Sequence, residues 1–412
     1  MQQQNPPQHY WALILFAGAL LMVTMGSRQT LGLFVSPLNT ATGLGIVSIS
    51  FAMAIAQFVW GAVQPIAGAF ADRYGAGRVL AVGLVLLAIG NAVTPFVDSS
   101  WGLILSIGIF SAVGAGAASF SVLIGAVAQR LPAERRGIAA GVINAGGSFG
   151  QFVFAPLMQR IISTFGWASA FWTLAAITLA SLPFARAMRR EAPAAAVATA
   201  ARHGVALPRD PGLKAALREA LTDRSYLLLH AGFFTCGFHI AFLVTHLPGE
   251  VQLCGLSPEV ASWSLSIIGL SNIVGSLLSG WGVQYYRSKY ILFWMYASRS
   301  VLIVLYLLAP KTPLTFYFFA VGLGLTWLAT VPPTAGVVGK LFGTRYLGTL
   351  FGLTLLSHQT GAFFGAWLGG LAVTETGSYD WMWYGDIVLA GLAALFNLPI
   401  REAPVRGALK PA

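Results

Sequence analysis

The sequence predicts an all-α membrane protein in which twelve transmembrane helices form two pseudo-symmetric six-helix bundles. Three observations support this prediction. The chain is much more apolar than a soluble domain, it contains twelve apolar stretches long enough to cross a bilayer, and residues of its first half recur in its second half at a constant spacing.

The composition is that of a chain surrounded by lipid. Of its 412 residues, 57% are hydrophobic and 9% are charged, and the mean hydropathy is +0.74. A soluble domain carries about 25% charged residues, so much of this surface must face lipid rather than water. The net charge of +11 does not indicate nucleic-acid binding, because the basic residues lie in short loops and form no continuous stripe.

The apolar stretches fix the number and type of the spans. A helix needs about 20 mostly apolar residues to cross the hydrocarbon, whereas a barrel strand needs about half as many. Backbone groups cannot remain unpaired in lipid, so stretches of this length must be helices. The predicted spans are 11–35, 47–71, 78–97, 101–129, 137–159, 167–187, 225–247, 257–283, 290–309, 313–338, 346–373 and 381–400.

Lysine and arginine predict the orientation. Of the 24 lysine and arginine residues, all but four fall in loops on one side of the membrane. Arg160 and Lys311 lie on the other side, and Arg28 and Arg299 lie within spans. Basic loops stay in the cytoplasm. The chain is therefore predicted to be a multi-pass protein of a bacterial-type inner (plasma) membrane, with both termini cytoplasmic because the span count is even.

The longest loop divides the chain into two halves. Residues 188–224 contain Arg189-Arg190, an alanine-rich stretch and Pro208-Arg209-Asp210-Pro211, a composition typical of a cytoplasmic linker. The predicted domains are an N-terminal bundle at 1–187, this linker, and a C-terminal bundle at 225–412.

An internal repeat relates the two halves. At an offset of 211 residues, four positions of the first span match four of the seventh, namely Thr24, Gly26, Arg28 and Pro37 with Thr235, Gly237, His239 and Pro248. Three glycines in spans four and five recur at the same offset, and Gly68 corresponds to Gly280 at an offset larger by one residue. Six spans per half give a parallel repeat, which places a substrate site between the halves near mid-depth.

A loop motif identifies a family. Residues 68–78 read Gly-Ala-Phe-Ala-Asp-Arg-Tyr-Gly-Ala-Gly-Arg at the predicted cytoplasmic end of span two. This stretch resembles the loop signature of the major facilitator superfamily, and the resemblance extends from about residue 10 to residue 402. It implies the major facilitator fold and a latch between the halves, carried by Gly68, Asp72, Arg73, Gly75 and Arg78.

Two further stretches resemble the monocarboxylate-transporter and oxalate–formate-exchanger branch of that superfamily. They are Gly-Ser-Arg-Gln-Thr-Leu-Gly-Leu-Phe-Val-Ser-Pro-Leu at 26–38 and Arg-Gly-Ile-Ala-Ala-Gly-Val-Ile-Asn-Ala-Gly-Gly-Ser-Phe-Gly at 136–150. The chain departs from the branch in span eight, which carries no basic residue, and in span eleven, where His358-Gln359 replaces a lysine.

Arg28 is the most informative single residue. It lies deep in the first span, and an unpaired charge at that depth costs at least about 3 kcal/mol unless it faces water or a partner. We expect no acid at the same depth, because Asp72 and Asp386 lie near span ends. A guanidinium facing a wet cavity suits bidentate capture of a carboxylate.

Other polar residues complete the predicted site. His239, the repeat mate of Arg28, is expected on the opposite wall, where it adds a second basic group and a possible proton acceptor. His358, Gln359 and Asn144 are further candidates for substrate contact. Arg299 in span nine is expected to hold the C-terminal half together or to take part in coupling.

These residues predict a secondary active transporter of a small organic anion, favouring a monocarboxylate. It would work by alternating access, with proton coupling or anion exchange, and as a monomer. The alternative is a proton-driven drug or metabolite efflux antiporter of the same fold. An enzyme ranks last, since no Ser–His pair, paired acids or metal cluster is apparent and no cofactor is implied.

Overall fold

The computed structural model describes residues 8–128, 130–131, 133–188, 212–343 and 347–403. All regular structure within these residues is helical. The twelve predicted spans are found as transmembrane helices, here α1–α12, and they form two bundles of six.

The N-terminal bundle contains the first six helices. Their bounds are α1 (Gln8–Gln29, continued by Leu31–Phe34 and Val35–Thr42), α2 (Ile46–Tyr74), α3 (Ala76–Val93), α4 (Ser100–Leu103, Ile104–Ser111, Ala112–Ala117 and Phe120–Ala128), α5 (Ala133–Phe165) and α6 (Trp167–Ala180 and Leu182–Ala187).

The C-terminal bundle contains the last six. Their bounds are α7 (Arg224–Leu253), α8 (Pro258–Tyr285), α9 (Ser288–Leu308), α10 (Pro313–Thr326, Leu328–Thr330 and Val331–Phe342), α11 (Leu347–Thr376) and α12 (Asp380–Asn397). A short helix, Leu213–Thr222, precedes α7. Most of the predicted linker, 189–211, lies outside the described residues.

Ten helices of the described chain have the length and apolarity of a membrane span. The other two are α11 and α12, which are 30 and 18 residues long but contain more polar residues, including His358, Gln359 and Asp386. Several helices extend past their predicted ends. Helix α5 runs on to Phe165 and α7 to Leu253, since hydropathy marks only the apolar part of a helix.

Several membrane helices are irregular in ways that hydropathy does not predict. Helix α1 breaks at Thr30 into a 3₁₀ turn, and α10 breaks at Trp327 into another. Helix α4 contains a π-helical segment, Ile104–Ser111. Such breaks expose backbone groups and are tolerated in a membrane where they lie inside the protein.

The contacts inside the bundles correct the register of the repeat. In the N-terminal bundle α1 packs on α5 through Gly18 with Gly146, Met22 with Gly150, and Gly26 with Phe154. The equivalent contacts of α7 with α11 are His230 with Ser357, Phe234 with Gly361, and Phe238 with Gly365.

These pairs show an offset of 211 between α5 and α11 but of 212 between α1 and α7. One residue turns a helix by about 100°. The structural mate of Arg28 is therefore Ile240, and His239 corresponds to Ser27. The predicted pairing of Arg28 with His239 is wrong by one residue.

The two bundles meet along α5 with α8 and along α2 with α11. Three hydrogen bonds cross the first contact: Asn144 Nδ2 to Ser276 Oγ at 2.8 Å, Asn272 Nδ2 to Ser148 Oγ at 2.7 Å, and Ser266 Oγ to the Phe152 carbonyl at 2.8 Å. Along the second, Phe51 of α2 packs on Phe363 and Trp367 of α11.

We call the face that carries the start of α1 and the end of α12 the terminal face. Here Glu402, just after α12, joins three helices of the C-terminal bundle. Its carboxylate accepts a hydrogen bond from the Lys289 amide at the start of α9 (2.6 Å) and pairs with Lys340 at the end of α10 (2.7 Å). An acid distant in sequence thus supplies a negative charge, which the α8–α9 loop itself lacks.

The closeness of α7 and α11 makes a first testable prediction. A Cβ added at Gly365 would overlap the Phe238 carbonyl of α7, whereas a Cβ at Gly391 of α12 would meet open space. We expect Gly365→Ala to destabilise the protein by about 1–3 kcal/mol because the helices must separate. The matched Gly391→Ala should be neutral or slightly stabilising. Thermal unfolding in detergent compares the two, and equal melting temperatures would contradict this packing.

Candidate functional site

Arg28 stands at the break in α1. It occupies the last turn of the regular segment Gln8–Gln29, two residues before the chain turns into 3₁₀ geometry at Thr30. A cation is favoured at that helix end, where carbonyl groups leave a partial negative charge. The side chain is half-buried, although it lies in the middle of a membrane span.

Three side chains from two helices hold the guanidinium. Its Nη2 donates to Gln57 Oε1 of α2 and to Gln359 Oε1 of α11, the latter at 2.9 Å. Its Cζ lies 4.2 Å from the centroid of the Trp60 ring, a cation–π contact. The site therefore draws on both bundles, because α2 belongs to one and α11 to the other.

The guanidinium keeps free donors. Both hydrogen bonds use Nη2, so within the described residues Nε and Nη1 of Arg28 have no protein acceptor. No carboxylate forms an ion pair with Arg28 in that part of the chain. Two amide oxygens carry partial charges only, and the positive charge of Arg28 remains uncompensated. Such a group can bind an anion through its unused edge.

Gln359 connects Arg28 to His358. Because its Oε1 accepts from Arg28, its Nε2 points to His358 Nδ1, at 2.7 Å. The amide nitrogen is a donor, so His358 Nδ1 must accept, and the ring proton lies on Nε2. That Nε2 is buried and has no partner among the described residues. The predicted pair His358-Gln359 thus lies next to Arg28.

Asn144 lies elsewhere. Its amide bonds to Ser276 across the α5–α8 contact, and no contact joins it to Arg28 in the described part of the chain. Its Oδ1 is buried without a partner there. The structure thus places Asn144 at the contact between the bundles, and a direct role in substrate binding stays a prediction.

His239 faces away from Arg28. Its Nδ1 bonds to Asp386 Oδ2 of α12, and both side chains are fully buried. The expectation that no acid lies at this depth is wrong, because Asp386, six residues into α12, reaches His239 in the middle of α7. The register shift explains why His239 points toward α12. His239 precedes Ile240, the structural mate of Arg28, by one residue, and one residue turns the side chain by about 100° around the helix.

Arg299 lies inside the C-terminal bundle. Its Nη2 donates to the carbonyls of Thr326 (2.6 Å) and Trp327 (3.3 Å) at the break in α10, and its Nη1 to Cys236 Sγ at 3.5 Å. The guanidinium thereby satisfies carbonyls that the broken helix leaves unpaired. These contacts lie within the C-terminal bundle, and the predicted role of Arg299 in holding it together stays a prediction.

The loop motif is described in part. Gly75 ends α2 and precedes α3 with a φ of 92°, a conformation that favours glycine. Arg78 is exposed, and Gly68 has open space beside its Cα. The side chains of Asp72 and Arg73 lie outside the described residues, so the predicted latch stays a prediction.

Sequence reasoning missed Gln57 and Trp60. Both lie in the middle of an apolar span. Gln57 could have been singled out from the sequence, because it is a polar amide among apolar residues of a membrane helix. Trp60 had no such signal, because tryptophan is common in apolar spans. No group of His, Cys, Asp or Glu able to hold a metal occurs among the described residues.

Comparisons with known proteins agree with the fold. The family model described as Major Facilitator Superfamily matches residues 17–359 and 250–412. The chain is 27% identical to monocarboxylate transporter 13 of Rattus norvegicus, over 97% of this chain and 91% of the relative. It is 23% identical to the oxalate:formate antiporter of Oxalobacter formigenes, over 97% and 94%.

A solved structure has the same fold. A crystal structure of a D-xylose-proton symporter superposes with a TM-score of 0.74 at 17% identity, covering 95% of this chain and 98% of that one. At that identity the likeness concerns the fold alone. The family model spans the chain, the helices form two bundles of six, and curated relatives match along nearly the whole length. The chain therefore belongs to the major facilitator superfamily of membrane transporters.

Proposed function

We propose that this transporter carries a small organic anion, with monocarboxylates as the favoured class, and that Arg28 binds the carboxylate. The observation that carries the proposal is the half-buried guanidinium in the middle of α1, which has unused N–H donors and no acid paired to it. A charge in that position is costly unless water or a ligand completes its environment.

The neighbours of Arg28 favour a small carboxylate. Trp60 supplies an apolar wall beside the cation, and Gln57 and Gln359 supply neutral amides that leave its charge intact. A planar carboxylate can accept two parallel hydrogen bonds from a guanidinium. The relatives named a monocarboxylate transporter and an oxalate:formate antiporter also support this class.

The same contacts offer a mechanism for alternating access. Arg28 of the N-terminal bundle donates to Gln359 of the C-terminal bundle, so the guanidinium joins the two. A carboxylate that binds the free edge of Arg28 neutralises the guanidinium and so weakens the hydrogen bond that its Nη2 donates to Gln359. Binding then alters the contact between the bundles, and a ligand that favours one arrangement shifts the population toward it.

The membrane setting is part of the proposal. Terminal-face loops carry most basic residues, whereas Arg160 and Lys311 lie on the opposite face. We assign the terminal face to the cytoplasm of a bacterial-type plasma membrane on this basis. The transporter is proposed to work as a monomer, since the proposed site is formed by helices of one chain.

The first test removes the charge. We expect Arg28→Gln to reduce uptake of labelled lactate or pyruvate into proteoliposomes by about 10- to 100-fold, the value of one charge-assisted hydrogen bond. Arg160→Gln, which removes an exposed arginine near the end of α5 at the opposite face, is the matched control and should transport normally. Equal uptake by the wild type and Arg28→Gln, with both proteins inserted, would overturn the assignment.

A second test places an acid beside Arg28. We expect Gln359→Glu to block uptake, because the new carboxylate pairs with the guanidinium and takes the place of the substrate. Gln359→Met keeps the length of the side chain without the charge and should retain more uptake. Thermal shifts caused by a panel of organic acids provide a second measurement: they should be lost in the Glu variant and kept in the Met variant. The reverse order would contradict an anion site here.

A further inference from the structure

We propose that the buried pair His239–Asp386 is the proton-binding site of this transporter, so that H⁺ is its coupling ion. The inference rests on the function proposed above, because it assigns the ion that moves with the organic anion. The pair is separate from the Arg28 site and lies wholly inside the C-terminal bundle.

The pair has spare capacity for a proton. His239 of α7 and Asp386 of α12 are both fully buried, and Nδ1 of the ring bonds to Oδ2 of the carboxylate. The outer atoms, His239 Nε2 and Asp386 Oδ1, are buried without partners in the described part of the chain. A structural pair would normally have these atoms satisfied, since an unpaired polar atom in a dry site is costly.

The charges around the pair make proton uptake a large local change. Arg299 of α9 is a cation that acts on His239. Tyr296 of α9 and Cys236 of α7 contact Arg299, and the His358 backbone of α11 lies against Gly237, two residues before His239. With His239 neutral, the charges of Arg299 and Asp386 cancel. One added proton gives this buried cluster a net charge of +1, and in a medium of low dielectric constant such a change acts strongly on its neighbours.

The step is a simple acid–base exchange. When the pair is open to water, a proton forms a bond to His239 Nε2 or Asp386 Oδ1, and no other covalent bond breaks. Release to the opposite side reverses the step. A carboxylate at Arg28 and a proton at the pair together carry no net charge, so that their joint transport is electroneutral.

A path of contacts leads from the pair to the other bundle. The Trp327 ring lies edge-on to His239, with centroids 6.1 Å apart, and Arg299 bonds to the Trp327 carbonyl. The next residue, Leu328, donates its backbone N–H to Asn272 Oδ1 at 3.0 Å. Asn272 in turn donates to Ser148 of the N-terminal bundle.

The break in α10 is the element that can respond. At Trp327 the α-helical geometry gives way to a 3₁₀ turn at Leu328–Thr330, and the carbonyls of Thr326 and Trp327 accept hydrogen bonds from Arg299. A proton bound to the pair either charges His239, which then repels Arg299, or neutralises Asp386, which then no longer attracts it. Either change shifts Arg299 and weakens these bonds. The broken segment, which touches α8 at the contact between the bundles, can then change its packing. Proton binding would thereby alter the α5–α8 contact between the bundles, whereas substrate binding alters a different contact between them, the bond of Arg28 to Gln359 of α11.

The experiment separates coupling from binding. Purified protein is reconstituted with a pH-sensitive dye inside the liposomes, and labelled lactate is the probe. Counterflow, with lactate on both sides, needs binding and reorientation but no net proton movement. Accumulation driven by an inward proton gradient, and acidification of the lumen on adding lactate, need the proton site as well.

We expect Asp386→Asn and His239→Gln to keep counterflow while losing lumenal acidification. Accumulation driven by the gradient should fall by about 5- to 150-fold, the usual range of coupling between two sites. The matched controls are Asp380→Asn at the exposed start of α12 and His230→Gln, a histidine of α7 that bonds to Ser357. Both controls should behave as the wild type.

Each contrary result has a distinct meaning. If the wild type shows Arg28-dependent counterflow but no acidification, the proton site is wrong and the anion carrier stands. If either variant still couples lactate to protons, the pair is not the site. Loss of counterflow in both variants would assign the pair to reorientation itself and would also overturn the inference. Absence of counterflow in the wild type would instead reject the proposed function.

Discussion

The structure depends on one constraint, a guanidinium placed in the middle of a membrane without an acid to neutralise it. Arg28 is tolerated because two amide oxygens, the face of an aromatic ring and the C-terminal end of a helical segment each stabilise its positive charge. None of these cancels that charge. The site is therefore stable enough to fold and still able to bind an anion, which is the physical basis of the proposed function.

The two bundles differ in how the charge of their membrane arginine is balanced. In the N-terminal bundle Arg28 remains uncompensated, whereas in the C-terminal bundle Arg299 lies near the His239–Asp386 pair and bonds to free carbonyls. The first arrangement suits a ligand that brings a negative charge. The second is nearly neutral and suits a ligand as small as a proton. Two halves related by a repeat thus carry polar clusters of different chemistry.

Helix breaks provide the link between charge and movement. Arg28 is two residues from the break in α1, and Arg299 bonds to the break in α10. In both places a charged side chain lies beside backbone that lacks its regular hydrogen bonds, so a change of charge can alter local geometry. The close, glycine-lined contacts of α1 with α5 and of α7 with α11 join each broken or charged helix to its own bundle, and in the proposed mechanism they pass such a change on.

The sequence predicted the fold well because membrane helices follow a local rule. An apolar stretch of sufficient length must become a helix, and the superfamily motif and repeat then set the arrangement. It also predicted Arg28 and His358-Gln359, since a polar residue at lipid depth is visible in the sequence itself. It could not predict Trp60, because the contact of its ring with Arg28 arises only when α1 and α2 pack together.

The sequence by itself determined the number of helices, the repeat and the presence of a cation in the first span. Only the tertiary structure decided which way each side chain points. A repeat that is constant at 211 residues in the sequence becomes 212 between α1 and α7, and that single residue turns His239 from the Arg28 position to Asp386. Hydropathy and spacing do not record helix rotation, because rotation is set by contacts with neighbouring helices far away in the chain.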